Sequence, residues 1–149
     1  MKRAKNNLSD LFEVIAPEQA AAEGLPVFSS SVSAGFPSPA EDYIDAKLDL
    51  NKYLIKHPSA TFFLRVKGES MTDAGINEGD ILIVDRSVAP SNNKVIIAIL
   101  NGEFTVKTFE KRGTQVFLVP ANKKFKTTEV QPDMDFKIWG VVTYVIHKV

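Results

Sequence analysis

The sequence predicts an all-β domain, mainly antiparallel and barrel-like or sandwich-like, with a flexible N-terminal arm. Three observations carry this expectation. Short apolar runs bounded by turn residues recur from residue 61 onward, an Asn-Gly pair joins two of them, and no long helical periodicity separates them. Thr61–Val66 is rich in β-branched and aromatic residues, and Ile81–Val84 is wholly apolar between Asp80 and Asp85. Val95–Leu100 is a second uninterrupted apolar run. Asn101-Gly102 follows it directly and Glu103–Phe109 resumes the pattern, which is the strongest short-range hairpin signal. Val116–Val119 and Phe136–Ile146 complete the set. Gly79, Pro90-Ser91-Asn92-Asn93, Gly113, Pro120 and Pro132 punctuate it. A weak helical segment is expected between Asp45 and Ile55.

The first forty residues read differently. Leu8, Leu11, Phe12 and Ile15 fall at i, i+3, i+4 and i+7, one face of a short helix that Pro17 ends. Such a helix is too short to stand alone in water. Ala20–Gly24 has the composition of a further short turn. Phe28–Gly35 is small and polar, and Pro37 and Pro39 follow. Two interpretations stand open: a mobile arm that docks its few apolar residues, or an arm with a role of its own.

Composition removes whole classes of function. Eighteen basic residues oppose eighteen acidic ones among 149, so the chain lacks the global basic field of a non-specific DNA binder. Cysteine is absent, which excludes disulfides, thiolate metal sites and cysteine nucleophiles. The two histidines, His57 and His147, are too few for a multi-histidine metal centre. No run approaches the roughly 20 apolar residues of a membrane-spanning helix. The basic start Met1–Asn7 is not followed by an apolar stretch, because Asp10, Glu13 and Glu18 interrupt it. No secretory signal is expected, and a cytoplasmic location is.

The remaining nucleophiles are serine, threonine and lysine. Neither histidine stands in a catalytic context, and both read as ordinary surface residues. Lysine replaces histidine as a base only when desolvation keeps it neutral. Lys107 lies within an apolar hairpin strand, on the face of Thr105 and Phe109 by strand alternation. It either reaches solvent at a sheet edge or is held in the interior. Ser70 follows Lys67-Gly68-Glu69 at the end of a strand, where glycine permits a tight turn. Such a turn is either plain connection or an arrangement that aims backbone N–H groups at an oxyanion.

Taken together these segments resemble a known family. Val66-Lys67-Gly68-Glu69-Ser70-Met71, Gly79–Asp85 and Gly102-Glu103-Phe104-Thr105-Val106-Lys107 are similar to the Ser/Lys self-cleaving domain of the LexA and UmuD family. Trp139-Gly140-Val141-Val142 resembles its last core strand, and the likeness runs from about Gly35 to the end. Gly35–Tyr43, Leu50-Asn51 and His57–Thr61 are most similar to the UmuD branch. Only 34 residues precede Gly35, too few for a winged helix-turn-helix module of ~70 residues. The arm is about ten residues longer than that branch leads one to expect.

The resemblance implies Ser70 as nucleophile, Lys107 as general base and Ala34-Gly35 as the bond cut. It divides the chain into a removable arm, residues 1–34, and a peptidase and dimerisation domain, residues 35–149. It also implies a homodimer, stimulation by the RecA filament on single-stranded DNA, and partnership of the shortened form with a UmuC-type translesion polymerase. It implies no cofactor, metal, membrane or sequence-specific DNA contact. Two alternatives are a signal-peptidase-like enzyme acting on other chains and a binding module in which the dyad is idle.

Overall fold

The structure is a computed structural model and describes residues 14–15, 25–28, 35 and 44–149. These fall into two units. One lies within residues 18–56, and the other takes in residues 57–149 and the strand at Val14–Ile15.

In the smaller unit, β2 (Leu25–Phe28) pairs antiparallel with β3 (Ile44–Leu48). Helix α1 follows and covers only Leu50–Leu54. Asp49 starts it, its carboxylate accepting the Asn51 N–H at 3.0 Å. The expected helix between Asp45 and Ile55 is therefore corrected. Its first half is strand, and helix begins only where a capping side chain is available.

The larger unit is one antiparallel sheet of eight strands in the order β1-β4-β5-β10-β6-β7-β8-β9. These are β1 (Val14–Ile15), β4 (Thr61–Arg65), β5 (Ile81–Asp85), β6 (Val95–Leu100), β7 (Glu103–Arg112), β8 (Gln115–Val119), β9 (Thr128–Glu129) and β10 (Phe136–Ile146). The all-β expectation holds, and each strand read from the sequence is present. One reading is overturned. Ile15 is not on a helical face, because Val14 and Ile15 pair with Leu64 and Phe63 of β4. An open sheet edge offers unpaired N–H and C=O groups, and two β-branched residues fit it well. Leu8, Leu11 and Phe12 lie outside the described residues.

The apolar runs lack polar alternation because β6 is covered on both faces. Ile97 joins Leu64, Val66, Met71, Ile76, Leu82, Val84, Phe104 and Val106 in one core. Its neighbours Ile96 and Ala98 turn to the other, with Phe109, Leu118 and Val141. The β6–β7 hairpin turns at Asn101 (φ 50°) and Gly102 (φ 80°), as a two-residue turn with both central φ positive requires.

Strand β10 is the long element, paired with β5 on one side and β6 on the other. Its register shifts between Ile138 and Gly140. Gly140 sits where Val84 approaches, and a Cβ there would stand 2.6 Å from Val84 Cγ1. Trp139 packs between Phe62 and Phe104, with the Arg86 guanidinium 4.7 Å above its ring.

Both ends of β5 carry a buried carboxylate. Asp80 accepts the Asn77 N–H at 2.8 Å and meets His147 Nδ1 at 2.6 Å. Asp85 accepts the N–H and hydroxyl of Ser87 and meets His57 Nδ1 at 2.6 Å. Burial opposes the charge on each. For Asp80 the hydrogen bonds from Asn77 and His147 outweigh it, and for Asp85 those from Ser87 and His57 do, so both carboxyls stay below the ordinary value.

Candidate active site

The site is built where the turn after β4 meets β7. Beyond Arg65 the chain keeps ladder contact for one more residue, with Val66 N–H donating to Asp80 O at 2.8 Å. The Gly79 N–H returns the bond to Val66 O at 2.9 Å. The chain then breaks away through Gly68, whose φ of 90° is open to glycine and strained for other residues. Met71, 1% exposed, anchors the far side of the turn in the first core. Between these fixed points stands Ser70.

Lys107 comes from the middle of β7, opposite Ile96 in the β6 register. Its Nζ lies 2.8 Å from Ser70 Oγ, 2.8 Å from Thr105 Oγ1 and 3.1 Å from the Val106 carbonyl. The shared strand face expected for Thr105 and Lys107 is thus what brings that hydroxyl to the amine. Desolvation by burial pushes the Lys107 pKa below its ordinary value. No carboxylate lies against the amine among these contacts to restore its charge.

Nζ stands as donor in all three contacts, and loss of one proton would convert it to a neutral amine. Such an amine has two N–H donors and one lone pair. In that neutral form the Val106 carbonyl and Thr105 Oγ1 would accept the two N–H groups, and the lone pair would face Ser70 Oγ to take its proton. A cavity of about 260 Å³ opens beside this group, bordered by Leu100, Phe104, Thr105 and Leu118.

The turn is held from the other side by residues 121 and 122. Ala121 N–H donates to Ser70 O at 2.8 Å, and Asn122 Nδ2 donates to Glu69 O at 2.7 Å. Among the described residues, no group of three or more His, Asp or Glu side chains is placed to hold a metal ion.

A family model described as Peptidase S24-like matches residues 26–143. The chain belongs to the Peptidase S24-like family. Within this group of serine peptidases, the chain is 43% identical to Protein MucA of Salmonella typhimurium over 136 residues, 91% of each chain. It is 46% identical to Protein ImpA of Shigella flexneri over 123 residues, 83% of each. It is 38% identical to the LexA repressor of Idiomarina loihiensis over 126 residues, 84% of this chain and 60% of that protein.

Of the residues singled out in the sequence, Ser70 and Lys107 are brought together. Gly35 is exposed, and Ala34 lies outside the described residues. His57 and His147 are half-exposed and bond to Asp85 and Asp80 rather than to Ser70. Two contributors were not anticipated. Thr105 was signalled by its i, i+2 relation to Lys107. Asn122 had no local signal, since its contact spans 53 residues. No helix among the described residues is long and apolar enough to cross a membrane.

Proposed function

We propose that this S24-like peptidase cuts its own chain between Ala34 and Gly35 with Ser70 as nucleophile and Lys107 as general base. The 2.8 Å contact between Lys107 Nζ and Ser70 Oγ carries this reading, because it places a desolvated amine within proton-transfer reach of a serine hydroxyl. Neutral Lys107 takes the Ser70 proton as Oγ attacks the Ala34 carbonyl carbon. The oxyanion that forms is met by backbone N–H groups of Ser70 and its neighbour. Lys107 returns the proton to the Gly35 nitrogen, the peptide bond breaks to free the Gly35 amine, and the segment ending at Ala34 stays as an acyl ester on Ser70 Oγ. Water, deprotonated by Lys107, then releases the acyl group from Ser70.

Cleavage separates an arm, residues 1–34, from a peptidase and dimerisation domain of 115 residues (149 − 34). The resemblance to the UmuD branch, together with the relatives named above, supports a cytoplasmic role in SOS mutagenesis. There the RecA filament on single-stranded DNA accelerates the cut. The shortened homodimer then serves a UmuC-type translesion polymerase.

The test is incubation of the purified chain at rising pH, with the product weighed by mass spectrometry. The rate should climb toward pH ~10 as Lys107 loses its proton, and the product should be the 115-residue fragment. Ser70→Ala and Lys107→Ala should each stop it. A Lys107→Ala chain that still cuts at Ala34-Gly35 would show the base to be another group. Activated RecA filament added at neutral pH should speed the cut, and no acceleration would remove the SOS assignment while leaving the peptidase chemistry.

A further inference from the structure

We infer that Asn122 is a positioning residue for the oxyanion donors, its side-chain amide setting the direction of the Ser70 N–H. The inference rests on the dyad assignment above. In a trans peptide the C=O and the N–H of one plane point in opposite directions, so fixing one fixes the other. The Glu69–Ser70 peptide is gripped by its carbonyl, which accepts Asn122 Nδ2 at 2.7 Å and Thr72 Oγ1 at 3.3 Å. The next peptide is gripped the same way, its Ser70 carbonyl accepting the Ala121 N–H at 2.8 Å. Two consecutive peptide planes at the nucleophile are therefore held from one side, and the N–H groups of Ser70 and Met71 are directed to the other.

The grip is itself rigid. Asn122 Oδ1 accepts the Lys124 N–H at 3.0 Å, so the two ends of the amide have partners of opposite kind. A carbonyl at one end and an N–H at the other leave a single orientation of the amide. Ala121 O accepts the Asp73 N–H at 2.7 Å, tying the loop to the turn on both flanks of Ser70. None of these groups touches Lys107 Nζ, whose contacts are Ser70, Thr105 and Val106. The loop therefore acts on the geometry of the attack and not on the proton acceptor.

The test compares Asn122→Asp, Asn122→Ala and wild type across a pH series, with two readouts on the full chain. One is the rate of fragment formation. The other is labelling of Ser70 by a fluorophosphonate, which uses the nucleophile and oxyanion donors without the arm as substrate. Asn122→Asp keeps the acceptor for Lys124 but sets a carboxylate oxygen against the Glu69 carbonyl. Both variants should lose about ten- to a hundredfold in plateau rate by both readouts, somewhat less than the roughly 10²–10³ lost when an oxyanion donor itself is removed. The pH midpoint of Asn122→Ala should stay at the wild-type value, whereas the added carboxylate of Asn122→Asp should raise it.

Wild-type rates in Asn122→Asp would overturn the inference. So would a shifted midpoint in Asn122→Ala, which would place the effect on Lys107, or loss of the folded circular-dichroism spectrum in both variants, which would make the contact a folding element. A wild-type chain that labels at Ser70 yet yields no 115-residue fragment would instead overturn self-cleavage, while the labelling comparison still decides the role of Asn122.

Discussion

Gly140→Ala tests whether β10 is clamped between its neighbours as tightly as the structure indicates. The added Cβ would stand 2.6 Å from Val84 Cγ1 and 3.3 Å from Arg86 Cγ. Carbon atoms rest at about 3.5–4.0 Å, so Val84 must give way by roughly 1 Å. It has little room, being fully buried, β-branched and locked in the first core. The backbone of β10 is equally constrained, since Gly140 pairs with Ile97 on one side and Val141 with Asp85 on the other. Overpacking of this kind costs about 1–3 kcal/mol. For a chain of this size that lowers the melting temperature by roughly 2–12 °C, at ~2–4 °C per kcal/mol. Thermal unfolding followed by circular dichroism reads it. Adding Val84→Ala removes the obstructing methyl, so the double variant should be more stable than the sum of the two single losses predicts. A wild-type melting temperature in Gly140→Ala, or strict additivity in the double variant, would refute the close approach.

Three further outcomes are expected. Thr105→Val removes an acceptor that favours the charged amine most, so the midpoint of the pH–rate profile should move down and the plateau rate should fall about tenfold; an unchanged profile would separate Thr105 from the site. Lys107→Met should raise the urea midpoint at pH 7, because the unfolded chain binds the lysine proton more tightly than the folded one. That gain should fade as pH rises from the lowered folded value to the ordinary lysine value and be gone above it, and a pH-independent gain would point to packing instead. Asp80 and Asp85 have folded pKa values below 3.8, so their stabilisation is present above that pH and is lost as pH falls through the folded values. Asp80→Asn and Asp85→Asn should each lower stability at pH 7 and flatten the acid limb of the stability curve, measured by urea unfolding between pH 2 and 7 (~5 pH units spanning the usual carboxylate range).

The strands were legible because each carries its own signal. The Asn101-Gly102 pair, for instance, predicts a two-residue turn by the φ values it tolerates, independent of the rest of the chain. The two-residue strands β1 and β9 were not legible, since two residues hold no period and gain their state only from the edge they cover. At Ile15 that edge overrode a helical spacing. The pairing of Ser70 with Lys107 was left open by residue types alone and was supplied by resemblance. The distance between them follows from sheet order, which no local pattern encodes. The histidines were expected at the surface and are half-exposed, but their carboxylate partners lie 28 and 67 residues away, beyond any local rule. Asn122 was hidden for the same reason, as a side chain that bonds backbone across the fold.

The position of β10 also bears on synthesis. Ser70 belongs to the half of the sheet made by β4 and β5, and Lys107 to the half made by β6, β7 and β8. The hydrogen-bonded ladder between these halves runs through β10, which is the last strand in chain order. A growing polypeptide whose synthesis has reached β8 holds both members of the dyad on hairpins that no ladder yet joins. The ladder that joins the Ser70 half of the sheet to the Lys107 half is thus completed only by the last of these strands to be made.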